Sequence, residues 1–469
     1  MPLPPYPPNP TSIPPFPLHL AVELLATYGS PLYVYEGDRL RQTIRHITRS
    51  IPYARTQFCF ASVTNGNLSL LRICRDAGWG LHANTPGDIY LGLHAGFHPN
   101  QIVYSGSNLN RAEMEQVLDW GVTTLNLDSL SQLQLCCEVY EEMGGRVGGF
   151  DGSDRPHSVG YQDKTQNSKL KIQNSKSSRT PHFTPHLGLR LNLPELTGDS
   201  RIGVRSEEFP AAIALTHQVG LKLTGLHFYR GTGTNATTAF TQTIDTVLTI
   251  ANRLPDWEDL DFGGGFGYSY HRGGPAFNWE QFGSELSDRL NHLNRPINLV
   301  VEPGRAAIAA CATLLCKVVS VKWQNEKQIV GVDTTVANLS VPSVHGGYRE
   351  IVSWKGAQEA EVQTSNRKPQ TSFNAQPSAL SPQPSATLHP TDVCGNTTYS
   401  RDYLGKNCLL PVLEVGDMLA ILDVGAYGYA MSSHFLHRPR PAEVLLEADT
   451  HRLIRDREHY SILLENQVF

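Results

Sequence analysis

The first lysine of this 469-residue chain is Lys164, so a third of the sequence offers no ε-amine at all. Other shortages narrow the class. There are 39 basic against 44 acidic side chains, a net charge of −5, which leaves no cationic footprint for a nucleic acid. No apolar run reaches the length of a membrane span, and the first residues lack the basic and apolar regions of a secretory signal. The eight cysteines are scattered without a Cys-x-x-Cys pair, and Cys311 and Cys316 stand at a poor zinc spacing. These absences predict a cytoplasmic protein with reduced thiols, no metal, and no membrane or nucleic-acid partner.

What is present is unevenly spread. Nine of the first 17 residues are proline, which favours extended polyproline II, so residues 1–17 read as a tail. Two stretches, 151–186 and 357–391, are rich in Ser, Gln, Asn, Pro and Thr and poor in large apolar residues. Such segments bury too little surface to offset ordering entropy and read as disordered insertions. Elsewhere short β-rich runs alternate with helical patterns. Strands are expected at 57–62, 80–83, 101–105, 124–127, 187–192, 223–229, 260–263 and 297–302. Helices between them include 68–77, 86–95, 111–120, 207–219, 240–252 and 279–294. Eight such units over about 250 residues make a (β/α)8 TIM-type barrel, here 36–310. After it the rhythm becomes strands and turns, so 311–469 reads as a β-sandwich domain, joined by the N-terminal segment 18–35.

Four motifs carry chemistry. Asp261-Phe-Gly-Gly-Gly-Phe-Gly267 follows the seventh barrel strand, where barrels often bind phosphate, and its glycines free backbone N–H groups for an anion. Glu302-Pro-Gly-Arg305 ends the eighth strand; its guanidinium suits a phosphate, and its carboxylate suits a cationic ring nitrogen. Tyr427, between glycines in Asp423-Val-Gly-Ala-Tyr-Gly-Tyr429, is placed to donate to a phosphate from a turn. Leu226-His-Phe-Tyr-Arg-Gly-Thr-Gly233 ends the sixth strand, with Tyr229 available to stack on a planar ring; His227 reads as a satisfied core histidine.

Together with GSPLYVYE, HAGFHPNQIVYSG, LRLN, SRIGV and HRPRPAEVLL, these motifs resemble the fold-type III decarboxylases that use pyridoxal 5'-phosphate (PLP), the group of diaminopimelate, ornithine and arginine decarboxylases, and most of all the diaminopimelate branch. The resemblance implies a PLP barrel plus β domain working as a homodimer with shared sites. It implies that Gly263, Gly264, Gly265 and Arg305 hold the phosphate, Glu302 pairs with the ring nitrogen, and Tyr427, Tyr229 and Arg190 line the cofactor. The small-molecule partner would be an amino acid or a phosphate ligand.

The chain departs from that family where the reaction occurs. The family motif Tyr-Ala-x-Lys-Ala-Asn appears as Phe60-Ala-Ser-Val-Thr-Asn65, so Val63 fills the position of the lysine that bonds the cofactor. His82 replaces an aspartate, Tyr229 the stacking histidine, Thr232 a serine and Val341 an arginine. The Cys-Glu-Ser-x-Asp signature reads Thr398-Tyr-Ser-Arg-Asp402. Thr398 thus stands for the catalytic cysteine, and Tyr399, with Asp402, for the substrate-reading end. Two functions follow: a diaminopimelate-decarboxylase-like carboxy-lyase with altered chemistry, or a catalytically impaired homologue holding PLP or another phosphate ligand without a covalent bond. In the second case its partner is a copy of itself or an active relative.

Overall fold

The computed structural model describes residues 14–145, 184–198, 200–231, 233–355, 387–448 and 450–468. The Pro-rich tail up to residue 13 and most of both insertions lie outside the described residues. Eight parallel strands close a barrel: β2 (Thr56–Ala61), β3 (Gly80–Ala83), β4 (Ile102–Tyr104), β5 (Thr124–Leu127), β6 (His186–Leu191), β7 (Leu223–Phe228), β8 (Asp259–Asp261) and β9 (Asn298–Val301). Closure comes from β9 pairing with β2, Thr56 opposite Leu299. Before the barrel, β1 (Leu32–Glu36) belongs to the second domain. There it joins β10 (Ala312–Gln324), β11 (Lys327–Val332), β12 (Ile351–Ser353), β13 (His389–Cys394), β14 (Tyr403–Leu410), β15 (Met418–Ile421), β16 (Ala442–Glu447) and β17 (Thr450–Arg455) in a mixed nine-stranded sheet. The long β10 holds that sheet together. Its first half pairs with β1 and β15, its second half with β11.

Local sequence explains many element ends. Thr85 and Asp88 form a reciprocal cap with Pro86 in the first turn, and Gly96 at φ 91° stops the helix Pro86–Ala95. Asn110 and Glu113 cap Arg111–Asp119 in the same way. In Gly37–Ser50 the buried Leu40, Ile44 and Ile47 fall on one face against the barrel. The strand β8 stops at Asp261 because Gly263 turns away at φ 66°.

Three expectations need correction. The helix placed at 240–252 is two pieces, Thr237–Thr241 and Ile244–Ala251; Thr243 Oγ1 donates back to Phe240 O at 2.7 Å and competes with continued helix. The span 207–219 opens as a 3-10 turn, Ser206–Glu208, before Phe209–Gln218. His186 and His389, assigned to the insertions by composition, begin strands: the His186 N–H donates to Thr123 O, and His389 pairs with Leu410. No helix among the described residues is long and apolar enough to cross a membrane.

The two domains meet through a buried carboxylate. Glu443 on β16 is fully buried and accepts from Tyr35 Oη on β1 (2.7 Å), from Asn67 Nδ2 of the loop after β2 (2.9 Å), and from Arg455 Nε on β17. Asn65 Nδ2 adds bonds to Tyr35 Oη (3.1 Å) and Gly425 O (3.2 Å). Glu443→Ala strands two buried donors at once, Tyr35 Oη and Asn67 Nδ2. It is expected to cost about 2–4 kcal/mol in chemical denaturation, because each orphaned polar group keeps its desolvation penalty.

Candidate active site at the top of the barrel

The strand ends of β3, β7, β8 and β9 converge on a cluster of four ionisable side chains. Asp261 ends β8 with Oδ1 accepting the Gly263 N–H (2.9 Å) and Oδ2 accepting Asn126 Nδ2 (2.9 Å). Register sets His227 on β7 beside Asp261 and Arg190 on β6 beside His227. Glu302, just after β9, is 2% exposed, and its N–H donates to Gly263 O (2.9 Å). His227 Nε2 lies 3.5 Å from Glu302 Oε2, and His82 Nε2 lies 3.4 Å from Glu302 Oε1 and 2.6 Å from Ser105 Oγ.

Burial dominates the electrostatics here. It lifts the Glu302 carboxyl to about 7, and it holds Asp261 well above the carboxylate range, with the Glu302 charge adding to the rise. It lowers His227 to about 4 and pushes His82 well down, so both imidazoles are neutral near pH 7. The histidine once read as a satisfied core residue is therefore a member of this cluster. Neither of its ring nitrogens has a hydrogen-bond partner among the described residues. Glu302 Oε1 likewise has no hydrogen-bond partner among the described residues, its nearest donor being the neutral His82 at 3.4 Å. One donor atom each from His227, Asp261 and Glu302 lie within 4.8 Å of one another, a metal-compatible spacing that a scan of sequence spacings cannot see.

Beside the cluster lies a cradle made by glycines. Gly263 and Gly265 have positive φ of 66° and 95°. A Cβ on Gly265 would collide with Gly231 O, and one on Gly264 would come within 2.8 Å of Glu302 O. The N–H groups of Gly264 and Gly265 have no hydrogen-bond acceptor among the described residues. Phe262 and Phe266 anchor the run from both ends, Phe266 stacking on Phe240 at 4.7 Å. Arg305 faces the same loops. Its Nη1 donates to Tyr270 Oη (3.2 Å), its Cζ lies 4.9 Å from the Tyr427 ring centre, and a Cβ on Gly233 would sit 3.3 Å from its Nε. Tyr427, at φ 60°, donates its N–H to Thr64 O (2.9 Å) and so ties the sheet domain to the loop after β2. Tyr229 lies by Gly265, with the Arg190 guanidinium 5.1 Å from its ring centre.

Val63 occupies the middle of a one-turn 3-10 helix, Ser62–Thr64, directly after β2. Ser62 Oγ binds His82 O and Asp88 Oδ1, both at 2.9 Å, and Thr64 Oγ1 donates to Ala61 O (2.8 Å). The turn is fixed on both sides, and Val63 between them is 44% exposed. Lys222 is the sole lysine of the barrel among the described residues. It precedes β7 at the opposite end and pairs with Asp256 at 2.9 Å.

The structure thus unites Gly263, Gly264, Gly265, Glu302, Arg305, Tyr427, Tyr229 and Arg190, and places Val63 on the adjoining loop. Thr398, Tyr399 and Asp402 have no recorded bond to this group within one chain. Asp402 is 3% exposed and accepts from Val336 N (2.7 Å), Thr335 Oγ1 and Thr397 N, bonds that fasten its own loop. Thr398 is exposed, and Tyr399 packs edge-on against Phe435 at 5.4 Å. Sequence reasoning missed Asn126, Ser105 and Tyr270. Only Tyr270 had a signal, the Tyr-x-Tyr spacing that follows the glycine run.

The raised Glu302 value has a pH signature. A carboxyl held at about 7 instead of 4.5 binds a proton in the folded state that the unfolded chain releases, so stability falls as pH rises between those values. Glu302→Gln removes this contribution. The stability of the variant relative to the parent is expected to improve steadily from pH 5 to pH 7 and to level off above; a difference independent of pH would rule out the raised value.

Residues 32–425 match the family model described as pyridoxal-dependent decarboxylase, C-terminal sheet domain. The chain is 31% identical over 462 residues to the diaminopimelate decarboxylase of Methanothermobacter thermautotrophicus, covering 95% of this chain and 94% of that one. It is 28% identical over 446 residues to that of Vibrio cholerae, covering 94% and 93%. Among solved structures, the diaminopimelate decarboxylase of M. jannaschii in complex with L-lysine shares the fold with a TM-score of 0.76 at 21% identity, covering 96% of this chain and 94% of that one. The Helicobacter pylori enzyme with L-lysine gives 0.74 at 24%, covering 94% and 98%. With the family model matched across both domains, the chain belongs to the pyridoxal-dependent decarboxylases.

Proposed function

We propose that this protein holds PLP at the top of its barrel by reversible contacts alone, and that it is a diaminopimelate-decarboxylase-like homologue with impaired turnover. The observation that carries this reading is the pairing of a complete cradle with Val63 on the loop where the family bears its lysine. The cradle fits the cofactor: glycines that tolerate no Cβ, two unengaged N–H groups and Arg305 suit a phosphate. Glu302 Oε1, buried and unpartnered, suits a protonated ring nitrogen. Tyr229 offers a ring to stack. When bound, PLP supplies a ring that withdraws electrons from a substrate's α-carbon.

The remaining chemistry falls to the chain. Glu302 holds a proton at the ring nitrogen; the cluster with Asp261 already keeps a carboxyl protonated near neutral pH. The neutral His82 and His227 add no positive charge that would compete with a cationic ring. Val63 provides neither an amine to bond nor a group to carry a proton. Thr398, in place of a thiol, is a far weaker acid, and Tyr399 brings no charge to read a distal ammonium. By family resemblance the working unit is a dimer, with the loop 398–402 serving the partner's site.

A second reading, a working carboxy-lyase, draws on the intact cradle and on the named activity of the relatives. Borohydride reduction with peptide mapping separates the two when combined with carbon dioxide release from meso-diaminopimelate, lysine, ornithine and arginine. The expected result is dialysable PLP, no labelled lysine, and release no faster than with free PLP. Val63→Lys is expected to retain PLP covalently after reduction. Turnover by the parent protein on the order of one per second or more, the ordinary enzyme range, would sink the impaired reading.

A further inference from the structure

Arg349 lies in the segment between the short helix Val341–Val344 and β12, and no role given above uses it. It is 3% exposed, and its Nη1 donates to Tyr348 O (2.7 Å). Its Nε and Nη2 are buried and have no partner among the described residues. The neighbours on either side are already committed to the loop after the glycine run: Tyr348 stacks on His271 at 4.0 Å, and Glu350 accepts from Arg272 Nε at 2.8 Å. Those two pairs fasten the segment, so fastening does not account for Arg349.

The guanidinium lies against Tyr270, with Cζ 3.7 Å from the ring centre. The same tyrosine accepts from Arg305 of the cradle. Two guanidiniums therefore share one tyrosine at the edge of the site. Asp423, the acid whose charge reaches Arg349, has its Oδ1 taken by Tyr268 Oη at 2.9 Å. The guanidinium also stands beside position 341. A Cβ on Gly347 would be 2.7 Å from Val341 Cγ1 and 3.7 Å from Arg349 Nη1. A buried guanidinium with two unpaired nitrogens is costly unless an oxyanion completes it, and its flat fork matches a carboxylate at two points.

We propose that Arg349 recognises a carboxylate of the ligand, separate from the phosphate held by the glycine loop and Arg305. The ligand then bears at least one free carboxylate besides the group that the cradle holds. This rests on the reading of the cradle as the phosphate site.

The test uses purified full-length protein, the variants Arg349→Gln and Arg349→Lys, and calorimetry with two sets of probes. PLP reports on the cradle. Meso-diaminopimelate, L-lysine and cadaverine, which carry two, one and no carboxylates on a shared diamine chain, report on Arg349; they are titrated with and without PLP. The parent is expected to prefer the carboxylates over cadaverine. Arg349→Gln is expected to weaken the carboxylate ligands about tenfold or more and to leave cadaverine unmoved, with Arg349→Lys in between. PLP affinity should change less than threefold in Arg349→Gln, against a large loss in Arg305→Gln. A parent without carboxylate preference, a preference that survives Arg349→Gln, or equal losses of PLP in the Arg349 and Arg305 variants would each overturn the proposal. A parent that binds no PLP defeats the cradle reading instead, and the carboxylate series without PLP then still decides Arg349.

Discussion

The site depends on a carboxylate that no ligand would touch. Glu443 ties the loop after β2 to the sheet through the buried Asn67 and Tyr35, with Arg455 closing it from the solvent side. That loop contains Val63 and Thr64, and Thr64 O in turn receives the Tyr427 N–H. A Cβ on Gly304 would come within 2.7 Å of Thr64 Cγ2, so the same loop packs on the Glu302–Arg305 segment. Barrel and sheet are thereby held in one arrangement at the point where Tyr427 must reach Arg305. A charge this deep is tolerated because three donors surround it.

Charge in the site is sorted by position. The interior group of His82, His227, Asp261 and Glu302 is close to neutral, with a proton retained on the carboxyls. The guanidiniums of Arg190, Arg305 and Arg349 lie around it, each against a tyrosine ring and none in a recorded ion pair with a carboxylate. Cationic groups on the tyrosine-lined side and acidic oxygens on the other give the site a direction. An elongated ligand with an anionic end and a protonated ring fits one way round.

Much of this was legible from residue patterns. Glycines with forced φ and the Glu-Pro-Gly-Arg run are local signals, and the eight strand positions followed from alternation and caps. What stayed hidden depends on register and on chain-distant packing. The meeting of His227 with Glu302 follows from neighbouring strands in a closed barrel, which composition cannot express. Arg349 had no pattern to announce it, since its significance lies in partners it lacks. The bonds of Asp402 were hidden for the converse reason: its donors, Thr335, Val336 and Thr397, lie partly on a distant turn. Insertion edges at His186 and His389 were blurred because composition averages over a window, whereas a strand begins where one hydrogen bond does.

Val63 sits half out in solvent on a turn that cannot shift, since Ser62 and Thr64 are both bonded. A cofactor tethered through an imine leaves only after that bond is hydrolysed or exchanged, so it responds slowly to its own supply. On the proposed reading, a molecule resting in this cradle departs at its own dissociation rate, and fractional occupancy tracks free concentration. With Val63 in place of a tether, the proposed occupancy would follow the surroundings on a shorter time base.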